Sequence, residues 1–151
     1  MARLLDHFDE RDILLHVRAR DKRQLFEAIG LHMEWAHGIP PDSVATALQR
    51  REAAGTTALG HGVAIPHARV KALEQVLVLY ARLSPPIAFD TPDGQPVSDV
   101  VCLMVPAPAT QEHLDMLSQV AALFSEEGFR AALHRRTDAA QIRETFGAWT
   151  R

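Results

Sequence analysis

Two histidines stand where their surroundings suit chemistry. His67 ends the run Gly60-His61-Gly62-Val63-Ala64-Ile65-Pro66-His67, and Arg69 follows two residues later. Three glycines fall between Gly55 and Gly62. Glycine belongs where a backbone must turn or come close to a ligand. The N–H groups of this loop and the hydroxyls of Thr56 and Thr57 are the makings of an anion nest. Pro66 holds Ile65 extended and removes one backbone donor, so a short, stiff segment delivers His67. A tight turn with a surface histidine behind it accounts for the same residues, and spacing alone leaves both readings open.

His113 is the second candidate. With Thr110 as N-cap it falls in the first turn of a helix, where the field disfavours a cation and favours a nearby anion. A neutral imidazole keeps a lone pair, which a phosphoryl acceptor, a general base or a metal ligand needs. Taken alone, His113 reads more readily as a surface residue of a capping turn. His61, His67 and His113 could together hold zinc with one position open. No His-x-x-His or His-Glu-x-x-His spacing supports that, and no fourth ligand is obviously arranged. Serine hydrolysis lacks its Gly-x-Ser-x-Gly elbow. Neither a Gly-x-x-x-x-Gly-Lys-Ser/Thr loop nor a Gly-x-Gly-x-x-Gly fingerprint occurs.

The remaining histidines, His7, His16, His32, His37 and His134, need no function. Cys102 lies in the apolar run Val100 to Val105 and reads as a small buried hydrophobe. A single cysteine forms no internal disulfide, which suits the cytosol. Sixteen Lys and Arg against 19 Asp and Glu give a net charge of -3. The pairs Arg50-Arg51 and Arg135-Arg136 are too short for a nucleic-acid footprint, so no nucleic-acid partner is expected. No signal peptide opens the chain, and no apolar stretch approaches the roughly 20 residues of a membrane span. A cytoplasmic protein without direct membrane insertion is the expectation.

Alternating elements must position the two histidines. A strand is expected near 13–17. A helix should run from an Asp21 cap to about His37, with Gly38 ending it. Pro41 or Asp42 should start the next, carrying Val44, Ala47, Leu48 and Arg51 on one side. Residues 75–82 read as a buried strand. Ser84-Pro85-Pro86 reads as a breaker, Ile87-Ala88-Phe89 as a short edge strand, and Thr91 to Gly94 as a turn. Residues 99–105 are the best central strand, although Asp99 is unexpectedly acidic for its start and could alter the local register. Thr110 should cap a helix over about 111–126 with a stripe of Leu114, Leu117, Ala121 and Phe124, widened by Met116, Val120 and Leu123. Gly128 should interrupt, a short helix should cover 129–133, and Thr137 or Asp138 should cap a last one burying Ile142 and Phe146. The fold class is an α/β (α+β) sandwich, a mixed β-sheet flanked by helices in a single domain.

The run Leu48 to Arg69, Leu-Gln-Arg-Arg-Glu-Ala-Ala-Gly-Thr-Thr-Ala-Leu-Gly-His-Gly-Val-Ala-Ile-Pro-His-Ala-Arg, closely resembles the active-site signature of the fructose/mannitol-type IIA domains of the phosphoenolpyruvate-dependent sugar phosphotransferase system. His113-Leu114-Asp115-Met116-Leu117 resembles that family's second histidine motif. The likeness spans about residues 4–146, and within the family it is strongest to the stand-alone nitrogen-regulatory branch.

The resemblance implies a relay. An HPr-like phosphocarrier protein would hand its phosphoryl group to His67, at Nε2. His113 would lie beside it, Arg51 would match the pocket arginine, and Thr57 the pocket hydroxyl. Position 61 is often Asn in sugar-specific members and is His here. No cofactor or metal is implied, because the donor is a phosphoramidate and arginine and N–H groups can carry the charge. The branch acts by regulatory contact with partners such as potassium transport systems or sensor kinases. Two alternatives stay open: a sugar-specific IIA component feeding a IIB protein, and a non-catalytic interaction or metal-binding module.

Overall fold

The alternating periodicities resolve into six strands and five helices in the computed structural model, which describes residues 4–71, 73–108 and 110–150. Two 3-10 turns, Leu4–His7 and Glu10–Asp12, lead into β1 (Ile13–Val17), α1 (Lys22–His37) and α2 (Pro41–Ala53). Three short strands follow: β2 (Ala58–Gly60), β3 (Val63–Ala64) and β4 (His67–Arg69). Then come β5 (Leu77–Ile87), β6 (Val97–Val105), α3 (Gln111–Ser125), α4 (Glu127–His134) and α5 (Ala139–Trp149).

The sheet is mixed, in the order β1-β5-β6-β3-β2. β5 and β6 run antiparallel, while β1 on β5, and β3 and β4 on β6, are parallel. β3 meets β6 at Asp99 and Val100, whereas β4 meets it at Leu103 to Val105. The Ile65-Pro66 step thus moves the chain along one edge of β6.

Strand alternation divides the core between the two faces of the sheet. Val100, Cys102 and Met104 pack with Leu25, Phe26, Ile29, Met33, Val44 and Leu48 of α1 and α2. Val101, Leu103 and Val105 pack with Met116, Val120, Phe124, Phe129 and Phe146 of α3, α4 and α5. Phe146 is fully buried, edge-on to Phe8 and Phe129 at centroid distances of 5.0 and 5.2 Å. Among the described residues no helix is long and apolar enough to cross a membrane.

The helix ends follow local chemistry. The Asp21 carboxylate accepts from the Gln24 N–H at 2.9 Å, and Gly38 closes α1 at a φ of 68°. For α2, Pro40 is the cap and Pro41 the first helical residue, where its missing N–H costs nothing.

Several expectations are corrected. Ser84-Pro85-Pro86 does not break β5. The regular ladder stops at Arg82–Asp99 and resumes at Ile87–Val97, so the prolines sit in an irregular, exposed stretch. Phe89 is buried but belongs to no strand. Gly128 lies inside α4 and does not interrupt it; the break falls one residue after α3, at Glu126, and a Cβ at 128 would stand 2.9 Å from the Trp149 ring, so the position suits glycine. On α3 the core side is Met116, Val120, Leu123 and Phe124, while Leu114 is 55% exposed. Asp99 keeps its register with Arg82 and Val63. Its carboxylate accepts hydrogen bonds from the Tyr80 hydroxyl and His134 Nε2.

Candidate functional site

His67 begins β4, which pairs with β6 along one side only among the described residues. Ala68 packs toward the α1–α2 core, so alternation turns His67 toward the α3 face. Its Nδ1 lies 2.9 Å from the Ile65 carbonyl oxygen. A carbonyl only accepts, so Nδ1 carries the proton and the neutral ring keeps its lone pair on Nε2. The stiff Ile65-Pro66 segment therefore fixes the tautomer as well as the place of the ring.

Arg51 reaches that lone pair from the last turn of α2. Its Nε donates to His67 Nε2 at 3.3 Å, and a second guanidinium nitrogen donates to the Gly55 carbonyl at 2.8 Å. A cation at a helix C-terminus also suits the helix dipole. His113 sits in the first turn of α3, where its Nδ1 accepts from the Thr110 N–H at 3.0 Å. This changes the chemistry expected of it. The Nδ1 lone pair is occupied, so the neutral ring carries its proton on Nε2 and offers a donor, not an acceptor.

His67, Arg51 and His113 line one cavity of about 680 Å³ together with Arg50, Arg69, Leu103, Leu114 and Leu117. Among the described residues three guanidinium groups and two imidazoles line it, and no carboxylate does. The lining is cationic beside a ring nitrogen that keeps its lone pair, which suits an anion.

Thr57 is placed differently. It is buried, and its hydroxyl donates to Glu52 Oε1 at 2.6 Å while its N–H donates to Oε2 at 3.2 Å. Lys22 Nζ pairs with the same carboxylate at 2.9 Å. Burial pushes the Glu52 carboxyl up, but the bonds from Thr57 and Lys22 outweigh it and leave the carboxyl below its ordinary value. Thr57 thus anchors the loop and is absent from the cavity lining. Nor is the expected anion nest free. The N–H groups of Gly55, Thr57, Ala58 and His61 already donate to the Glu52 carbonyl, the Glu52 carboxylate, Thr56 Oγ1 and Asp93 Oδ2.

His61 sits in the β2–β3 turn at a φ of 58°, beside the Asp99 end of β6, whereas His67 pairs at Leu103. Among the described residues no three His, Cys, Asp or Glu side chains are placed to hold a metal ion. Burial pushes the Cys102 thiol far up, so it is no nucleophile. From sequence Arg50 reads only as part of a short basic pair, and Leu114 and Leu117 only as a helix stripe, whereas all three line the cavity; Glu52 has no role assigned from sequence. For Glu52 the signal was available, since a carboxylate beside Arg51 in the last turn of a helix is misplaced for the dipole.

The family model for the phosphoenolpyruvate-dependent sugar phosphotransferase system, EIIA 2, matches residues 6–148. A nitrogen regulatory protein of Bradyrhizobium diazoefficiens is 36% identical over 130 residues, covering 86% of this chain and 85% of the relative. One from Escherichia coli is 35% identical over 129 residues, covering 85% and 77%. The crystal structure of nitrogen regulatory protein IIA-Ntr from Neisseria meningitidis superposes with a TM-score of 0.88 at 36% identity, covering 95% of this chain and 98% of that one. A lone pair held on Nε2 of His67, in a cavity lined by three arginines, is thus found in a chain that belongs to the EIIA type 2 phosphocarrier family and is similar to its nitrogen regulatory proteins.

Proposed function

We propose that this protein accepts a phosphoryl group on Nε2 of His67 from the phosphohistidine of an HPr-like carrier, and that it regulates partner proteins according to whether His67 is phosphorylated. The observation that carries this is the Nδ1–H of His67 held on the Ile65 carbonyl, which leaves Nε2 as the nucleophile beside Arg51.

The step is a displacement at phosphorus. The Nε2–P bond forms as the carrier's N–P bond breaks, and the bonding pair returns to the carrier's imidazole. No proton has to move, because the His67 proton stays on Nδ1, against Ile65. Arg51 leaves Nε2 and turns its guanidinium to the phosphoryl oxygens, while the Nε2–H of His113 supplies a further donor. Thr57 acts as a positioning residue through Glu52. Orientation and fixed dipoles supply most of the help in such transfers.

Phosphorylation adds charge on the order of -1.5 to -2, as for other phosphorylated side chains. A partner that accepts the bare rim of His67 would reject the charged one. The similarity to nitrogen regulatory proteins supports this regulatory reading over sugar uptake. Partners of the kind expected are potassium transport systems or sensor kinases.

The test is intact mass after incubation with phosphoenolpyruvate, Enzyme I and an HPr-like carrier. One acid-labile phosphoryl adduct is expected on the native protein and none on His67→Ala. An adduct on His67→Ala would overturn the site, and no adduct on either would overturn the reading.

A further inference from the structure

The cavity beside His67 is larger and more cationic than a phosphoryl group requires. Its volume of about 680 Å³ falls within the range of about 300–1,000 Å³ found for small-molecule sites. A phosphoryl group brings only a phosphorus and three oxygens, and Arg51 and His113 can supply donors for them. Arg50 and Arg69 line the same cavity, and neither has an ion-pair partner among the described residues. The cavity has no carboxylate, although acidic residues outnumber basic ones 19 to 16 in the chain.

The rest of the lining is apolar: Ala47, Ala68, Leu103, Val105, Leu114 and Leu117. Leu114 stays 55% exposed there, a cost that an apolar body laid against it would relieve. Two free guanidinium groups suit the planar, two-point recognition of a phosphate better than point charges would. Apolar side chains in the same lining suit a ligand with a head and a body.

We propose that, in the unphosphorylated protein, this cavity binds a small organic phosphate monoester. Its phosphate would sit on Arg50 and Arg69 and its apolar body on Leu114 and Leu117, and the occupant competes with phosphotransfer to His67. The competition rests on the phosphocarrier reading, whereas the binding does not. Such a ligand would couple the relay to the supply of phosphorylated metabolites, because a filled cavity leaves no path to Nε2.

The test uses 1-naphthyl phosphate as the probe, titrated into the full, isotope-labelled, unphosphorylated chain and followed by NMR. Inorganic phosphate and 1-naphthol serve as controls. Saturable shifts are expected at Arg50, Arg69, Leu114 and Leu117. Inorganic phosphate and the Arg50→Gln/Arg69→Gln variant should each bind at least about tenfold more weakly. Thermal unfolding of the variant verifies its fold, which exposed positions should preserve. Absence of saturation up to about 1 mM, equal affinity for inorganic phosphate, or undiminished binding by the variant would each overturn the proposal.

The probe should also slow transfer from the phosphorylated carrier. If transfer proceeds and the probe does not bind, the cavity serves the docking of the carrier alone and this inference falls while the function stands. If the probe binds and His67 takes no phosphate from any competent carrier, the function falls and takes the competition with it.

Discussion

The carboxylate of Asp99 is fully buried, and Nε2 of His134 lies 2.6 Å from its Oδ2. The pair joins β6 to the end of α4. On β5, the Tyr80 hydroxyl donates to Asp99, and Arg82 Nε donates to Tyr80 at 3.2 Å while its other nitrogens hold the Leu133 and Arg136 carbonyls. The hydrogen bond to Asp99 raises the His134 pKa above 6.5, against the opposing effects of burial, Arg82 and Arg130. A raised imidazole pKa contributes stability that is fully present below the unfolded value and lost as pH rises through the folded one. Melting temperature measured against pH should therefore show the native protein's advantage over His134→Gln shrinking as pH rises above 6.5. A constant difference at every pH would reject this linkage.

Two opposite tautomers are expected in the site. Nitrogen chemical shifts of the neutral rings should place the proton on Nδ1 in His67, which faces the Ile65 carbonyl, and on Nε2 in His113, whose Nδ1 accepts from Thr110. The same tautomer in both rings would contradict the geometry.

Arg51 Nε donates to the His67 lone pair, and in the proposed transfer its guanidinium turns to the phosphoryl oxygens. Arg51→Ala should slow phosphorylation by on the order of 10²-fold, the usual effect of removing one preorganised donor. Arg51→Lys should recover only part of the rate, since an ammonium cannot bond Gly55 and His67 as the planar fork does. Single-turnover rates with the phosphorylated carrier decide the matter.

Thr57 is argued to work through Glu52. Thr57→Val leaves a buried carboxylate short of one donor and should cost about 1–3 kcal/mol in urea unfolding. Thr57→Ser, which keeps the hydroxyl, should restore most of the stability and the phosphorylation rate together. The lowered Glu52 carboxyl contributes stability above its ordinary value of 4.5 that disappears as pH falls through the folded value. Glu52→Gln should therefore flatten the acid side of the stability profile.

Phe146 sits edge-on to Phe8, Tyr80, Phe124 and Phe129, at the meeting of the sheet with α3, α4 and α5. Phe146→Ala should destabilise the fold by about 3–5 kcal/mol, with a smaller loss for Phe146→Leu. Denaturant midpoints at constant slope would measure both.

Local chemistry made much of this molecule legible in its sequence. The Asp21 cap, the left-handed Gly38, the apolar β6 and a cap at Asp138, one of the two residues expected there, rest on residue type and spacing, and the structure has each of them. The motif carried the family likeness and named His67, His113 and Arg51, which the structure brings to one cavity. Other features depend on where neighbours lie. Position 128 suits glycine because Trp149 packs against it, β5 passes its prolines because the ladder skips them, and Leu114 belongs to the cavity because α3 turns its other side to the sheet. Thr57 became an anchor and not a pocket hydroxyl because Glu52, five residues earlier, took its donors. Which nitrogen of each histidine is free follows from single hydrogen bonds to Ile65 and Thr110. A sequence shows which groups can react; it does not show which of their lone pairs another backbone group already holds, and that is settled only when the chain folds.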